Sequence, residues 1–244
     1  MSGIMRLVRS EILRARSGSS FPLLLSYAVI VPGFVLGQTG ILHSLASLDD
    51  GAATRLVFAC AACAALGACF YGAYAYTRET YYHSLERTLL LGNRDAILIG
   101  KSVAGAASGA IFGGVAILCW TPITIAVLSS SGHGLVVDTT VAVAAVGTIL
   151  SCALSGVIGV AVGYVIRNYY LGIPVILILP PLIAVPMLTH LREVERFLPV
   201  GALAGSTAAP LGGLLPAPLA LLVLLAWSIL SVAGARAVEH RRQR

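Results

Sequence analysis

Three groupings in this 244-residue sequence hold residue types that could do chemistry. Cys60-x-x-Cys63 has the spacing of a redox pair or of half a metal site. No His, Asp or Glu lies in the same apolar run to complete either. Cys69, Cys119 and Cys152 also fall inside apolar runs, so the five cysteines read as small packing side chains rather than as a disulfide framework. Gly100-Lys101-Ser102 has the closing residues of a phosphate-binding loop, whose backbone cradle needs an earlier glycine and a preceding strand. Asp95 occupies that glycine's place, and an acidic side chain repels phosphate, so the segment reads as the opening of a helix. The third grouping is the polar stretch from Arg78 to Lys101, with Glu79, His83, Glu86, Arg87, Arg94 and Asp95 beside Tyr81 and Tyr82. Its mixed charges suit a solvated helical face or a protein contact. One histidine beside one glutamate does not make an acid–base pair with a convergent nucleophile. The sequence therefore assigns no catalytic, cofactor or metal residues.

The elements that must hold these groups are membrane spans. The chain is 58% hydrophobic and only 11% charged, against roughly 25% charged residues in a soluble domain. A water-soluble core cannot absorb that much apolar surface. The net charge of +6 sits at the ends of apolar runs rather than along a soluble face, which argues against a nucleic-acid partner. A helix needs about 20 apolar residues to cross the hydrocarbon core, and the intervals free of Asp, Glu, Lys and Arg supply them. Six spans are expected, near 21–42, 56–76, 102–128, 139–166, 171–190 and 217–235, in one domain over 1–244. The fold class is an all-α integral membrane protein. No small-residue cleavage site follows the first apolar run, so that run is expected to remain as a helix.

Lys and Arg divide unequally between the two sides. Arg6, Arg9, Arg14, Arg16, Arg78, Arg87, Arg94, Lys101, Arg167, Arg236, Arg241, Arg242 and Arg244 fall on one side, against Arg55, Arg192 and Arg196 on the other. The positive-inside rule places the first group, and hence both termini, in the cytoplasm. Before the first span, Ile4, Met5, Val8 and Ile12 share a helical face away from Arg6, Arg9 and Arg16, which predicts a short helix lying in the membrane interface; the alternative is an unstructured basic tail. Gly105, Gly109 and Gly113 recur every four residues in the third span, as do Ser151, Ser155, Gly159 and Gly163 in the fourth. Small residues at that spacing let helices approach closely, which predicts packing within one chain, with a dimer interface as the alternative. Pro174, Pro180, Pro181 and Pro186 predict a kinked fifth span. Residues 197–215 are too apolar for an ordinary loop and too short to cross, which predicts a re-entrant segment on the outer side, with a surface loop as the alternative.

Coupled carriers normally hold an ionisable group near mid-membrane. These spans offer no carboxylate, lysine or arginine. His190, at the outer end of the fifth span, reads as a boundary residue. The energy source is expected elsewhere, and any ATP in another chain.

At the polar stretch the sequence resembles the membrane permeases of ABC type-2 exporters, including small permeases linked to antibiotic or lantibiotic resistance. Arg78-Glu79, then Ser84-Leu85-Glu86, then Asn93-Arg94, and finally Gly100-Lys101 follow that family's order of an arginine–glutamate pair, a threonine–leucine–glutamate run, a serine–arginine pair and a glycine–lysine pair. The proline usual before the serine–arginine pair is missing. Arg9-Ser10-Glu11-Ile12-Leu13-Arg14 and Arg196-Phe197-Leu198-Pro199 are also similar to family stretches. The resemblance implies that 78–101 couples to an ATPase through Arg78, Glu79, Ser84, Leu85, Glu86, Arg87, Asn93, Arg94 and Lys101. It implies Arg9, Glu11 and Arg14 in the interfacial helix and Phe197, Leu198, Pro199 and Leu203 in the re-entrant segment. It further implies two ATP-binding subunits that carry ATP and Mg, a second permease subunit, surrounding lipid, residence in the cell (inner) membrane, and outward movement of a lipophilic drug, peptide or lipid. A non-transporting membrane anchor or accessory subunit and a polytopic enzyme are the rival readings.

Overall fold

The computed structural model describes residues 9–10, 13, 20–38, 40–82, 84, 93–172, 174–180, 182–183 and 192–242. Among them there is no strand. Five helices are long and apolar enough to cross a membrane: α1 (Ser20–Gln38), α2 (Asp50–Tyr81), α3 (Arg94–Ser130), α4 (Thr139–Ile166) and, after a short helix α5 (Pro199–Ser206), α6 (Ala217–Arg242). Short side chains at the boundaries decide where three of them begin. The carboxylate of Asp49 accepts from the Ala52 amide at 2.6 Å, the Asn93 side chain from the Ala96 amide at 2.8 Å, and the Asp138 carboxylate from the Val141 amide at 2.9 Å. Each satisfies an amide that the first helical turn leaves without an intrahelical acceptor.

The small-residue stripes explain how the spans assemble. α4 lies at the centre, packed on α2, α3 and α6. Gly109 faces the backbone of Cys152, Gly113 that of Ile149, and Gly105 and Gly72 that of Gly156. On the other side of α4, Gly159 meets the Cys69 carbonyl and Gly163 the backbone of Ala73. No Cβ fits at these crossings, so glycine is what permits the approach. The α3 stripe thus packs on Ile149, Cys152 and Gly156 of α4, while Gly159 and Gly163 of the α4 stripe pack on α2, all within one chain. Three clusters follow the seam: Leu45, Val57, Trp120 and Leu128 at one end, Ala68, Phe112 and Cys152 midway, and Tyr76, Leu98, Tyr164 and Ala235 at the other. Trp120 is buried with its indole N–H donating to the Val57 carbonyl at 2.8 Å. Leu23, Phe34, Leu118, Leu222 and Leu230 remain exposed on the outside of the bundle, as lipid-facing side chains must.

α2 tightens into a 3-10 turn over Cys60–Cys63. All five cysteines are free, and the Cys60 thiol donates to the Leu56 carbonyl at 3.6 Å.

α5 is held deep along its neighbours. Ser206 and Ser151 share a buried hydroxyl contact at 2.7 Å, and the Trp227 indole donates to the Phe197 carbonyl at 2.9 Å. At ~1.5 Å per residue, Ser151 lies about 18 Å from the start of α4 and Trp227 about 15 Å from the start of α6. Leu203 packs against the midway cluster. Glu195, just before α5, is buried, which raises its carboxyl above the usual value.

Several expected boundaries move. The helices at the first two expected spans, 21–42 and 56–76, run Ser20–Gln38 and Asp50–Tyr81, and those that contain the third and sixth run Arg94–Ser130 and Ala217–Arg242. The fourth, 139–166, keeps its limits. A gap between charges measures the apolar stretch, whereas a helix continues through flanking polar residues while its backbone bonds remain available. Of the expected fifth span 171–190, Pro174–Ile178 forms a π-helical turn, and much of the remainder, His190 included, lies outside the described residues. Arg9, Ser10 and Leu13 are helical, while Glu11 and Arg14 lie outside the described residues.

Candidate functional site

The densest assembly of ionisable groups lies where α2 stops, α3 starts, and α4 and α6 end. Glu79, on the last turns of α2, and Lys101, on the second turn of α3, form an ion pair at 2.9 Å with side chains only 4% and 2% exposed. The Lys101 ammonium also donates to the Ala75 carbonyl at 3.4 Å. Neither residue belongs to a solvated loop or is open to a partner protein, contrary to the expectation for 78–101. The physical reason is cost: two opposite charges on facing helices lose less by meeting each other than by entering an apolar seam separately. Arg78 is helical too; its guanidinium lies 5.3 Å from the Tyr74 ring centre and donates to the Ser20 hydroxyl at 3.4 Å, bringing the start of α1 to this end.

A second assembly is built on Glu239. Its carboxylate is buried and accepts from Arg94 at the start of α3 through one oxygen and from Arg167 at the end of α4 through the other. Arg236, one turn earlier, reaches Asp95 at 2.6 Å, and Arg242 donates to the Val165 carbonyl at 3.0 Å. Arg167 closes α4 in the left-handed conformation at φ 54°, where glycine is the usual residue. Its guanidinium also lies 5.8 Å from the Tyr164 ring centre. Sequence reasoning placed Arg94 and Arg167 at this end but did not single out Glu239. Its signal was available: it is the one acid in the stretch containing Arg236, Arg241, Arg242 and Arg244.

Around these charges stands a group of tyrosines. Tyr81 contacts Tyr82, Tyr169 and Tyr170, with ring centres 5.1, 5.4 and 5.9 Å apart, and Tyr74 contacts Tyr169 at 5.8 Å. Partial burial raises the Tyr169 hydroxyl above its usual value. Tyr82 and Tyr170 remain exposed, as rings with a polar tip do at a membrane–water boundary.

Of the expected coupling residues, Glu79 and Lys101 are thus paired with each other, Arg78 and Arg94 lie at the same end with other partners, Asn93 caps α3, and the Ser84 hydroxyl donates to the Glu79 carbonyl at 3.4 Å. Leu85, Glu86 and Arg87 lie outside the described residues, as does His83. At the opposite end, Arg55 pairs with Asp138 at 3.5 Å, and the His133 ring contacts Asp50 at 2.8 Å and the Leu45 carbonyl at 3.0 Å. Among the described residues no group of three or more His, Cys, Asp or Glu side chains is placed to hold a metal ion.

No protein-family model matches the chain, and no curated protein matches it. The class rests on the fold: among the described residues there are helices but no strand, and five of the helices are long and apolar enough to cross a bilayer, the construction of a membrane-embedded protein.

Proposed function

We propose that the chain is the membrane half of an ATP-driven exporter, with ATP and Mg handled by a separate pair of ATPase subunits and a second permease, identical or paralogous, completing the path. The observation that carries this reading is the connection between α2 and α3. Its resemblance to the coupling segment of ABC type-2 permeases lies in the order Arg78-Glu79, Ser84-Leu85-Glu86, Asn93-Arg94, Gly100-Lys101. Both flanks of that segment are anchored by buried charges to neighbouring spans, which suits a connection that must move helices when pulled. Glu79 and Lys101 serve in this reading as internal anchors, leaving the residues between Ser84 and Arg87 to meet the ATPase.

The remaining features fit the same plan. Arginine and lysine enrichment puts this end, and both termini, in the cytoplasm, and residues 171–190 supply the sixth crossing. α5 enters the outer half of the bilayer as a re-entrant helix, supported by the buried contact of its Ser206 with Ser151 and by the Trp227 indole on the Phe197 carbonyl just before it. The cargo is a lipophilic drug, peptide or lipid moved outward. A non-transporting anchor uses the same fold but needs no ATPase, which separates the two.

Isolation of the tagged protein from its own membrane in mild detergent tests the proposal. A soluble ATPase with a P-loop is expected in comparable amount, and Glu86→Lys is expected to reduce its recovery without loss of the inserted permease. Absence of any ATPase from the wild-type preparation overturns the exporter reading in favour of an anchor. Unchanged ATPase recovery and export after reversal of both Glu86 and Arg87 overturns the assignment of the connection.

A further inference from the structure

The Glu239 assembly carries an inference that rests on the exporter reading and deepens it. The buried Glu239 carboxylate bridges Arg94, which opens α3 directly after the connection, and Arg167, which closes α4. Among ion pairs between described residues, Glu239 alone joins two guanidiniums from two different helices. Arg167 supplies an independent observation. Its backbone takes the left-handed conformation in which glycine is unstrained and an arginine is not. The helix end alone would be better served by glycine, so the arginine is there for its side chain. That side chain reaches Glu239 and stacks towards Tyr164, whose hydroxyl donates to the Arg94 carbonyl at 3.4 Å. Arg236 and Asp95 make a parallel, more exposed tie between α6 and α3.

We propose that Glu239 is the positioning residue through which movement of the α2–α3 connection reaches α4 and α6, with Arg94 and Arg167 as the two arms of the clamp. A pull on the connection displaces Arg94 first. With the clamp closed, α4 and the end of α6 follow as one body; with it open, α3 and the α2 end paired to it move with less of the drive reaching α4 and α6. Lys101 and Glu79 hold α2 to α3 at the same level, so the clamp adds the two helices that this pair does not reach.

The test uses the full chain in lipid, its five cysteines replaced by alanine, with spin labels at Ser84→Cys and Arg241→Cys. Pulsed distance measurement is expected to give one narrow distribution in the parent, broadened at least 1.5-fold by Glu239→Gln and by Arg167→Gly. Arg167→Gly is the decisive variant, because it relieves the backbone while removing the arm, so a protein that melts no lower yet loses its narrow distance separates positioning from mere folding. Unchanged widths in both variants overturn the clamp. With the co-purifying ATPase present, Arg167→Gly is expected to retain hydrolysis within twofold while export falls at least tenfold; equal falls in both, or no fall in either, overturn the role in coupling. Absence of any ATPase partner overturns the exporter reading alone, and the distance measurement still decides whether the clamp exists.

Discussion

Lys101→Met removes the cation facing the Glu79 carboxylate at 2.9 Å while keeping the length and apolar stem of the side chain. With both partners almost fully enclosed, the loss is not that of a surface ion pair, worth about 0–1 kcal/mol. It is that of breaking a buried pair by removing one partner, about 3–5 kcal/mol. For a chain of this size, at roughly 2–4 °C per kcal/mol, the apparent melting temperature falls by about 6–20 °C. Removing both charges, as Glu79→Leu with Lys101→Met, takes away both members of the buried pair together, and the double variant is expected to melt within about 3 °C of the parent. Thermal unfolding of the detergent-solubilised protein, followed by the monodisperse fraction surviving each temperature, gives both numbers. A single variant that loses less than about 1 kcal/mol, or a double variant that is worse than the single, refutes the reasoning, since either means that water reaches the pair.

Three further outcomes follow from the geometry. Gly159→Leu drives a side chain into the Cys69 carbonyl and is expected to cost at least about 1–3 kcal/mol, whereas Gly114→Leu, whose Cβ meets nothing within 4 Å, is expected to melt like the parent in the same assay. Spin labels at Leu198 and Leu203 in lipid are expected to be reached by oxygen and shielded from a water-soluble relaxer; full aqueous access at both makes 197–215 a surface loop. The Val141 amide holds the Asp138 carboxyl below its ordinary value near 3.8, so its contribution is complete above that value and is lost as pH falls through the lowered one. Asp138→Ala is accordingly expected to melt below the parent at pH 6, with the difference closing in stronger acid.

Composition and spacing alone determined that the chain is helical and apolar enough to embed, because a long interval without charge has few other uses and every backbone group in lipid must be paired within its own helix. The four-residue stripes Gly105-Gly109-Gly113 and Ser151-Ser155-Gly159-Gly163 announced close packing for the same local reason, since side-chain size is a property of the residue itself. Which backbone each glycine meets was not legible. Gly159 faces Cys69 on α2 whereas Gly109 faces Cys152 on α4, a choice made by the rotation of each helix about its axis. The charged end divides in the same way. The basic excess was visible, but Glu79 and Lys101 read as solvated because a linear sequence does not say that two helix ends will press together and exclude water. Glu239 stands 145 residues from Arg94 and 72 from Arg167. No periodicity relates positions so far apart, and only the tertiary packing of α3, α4 and α6 brings the three into one buried cluster.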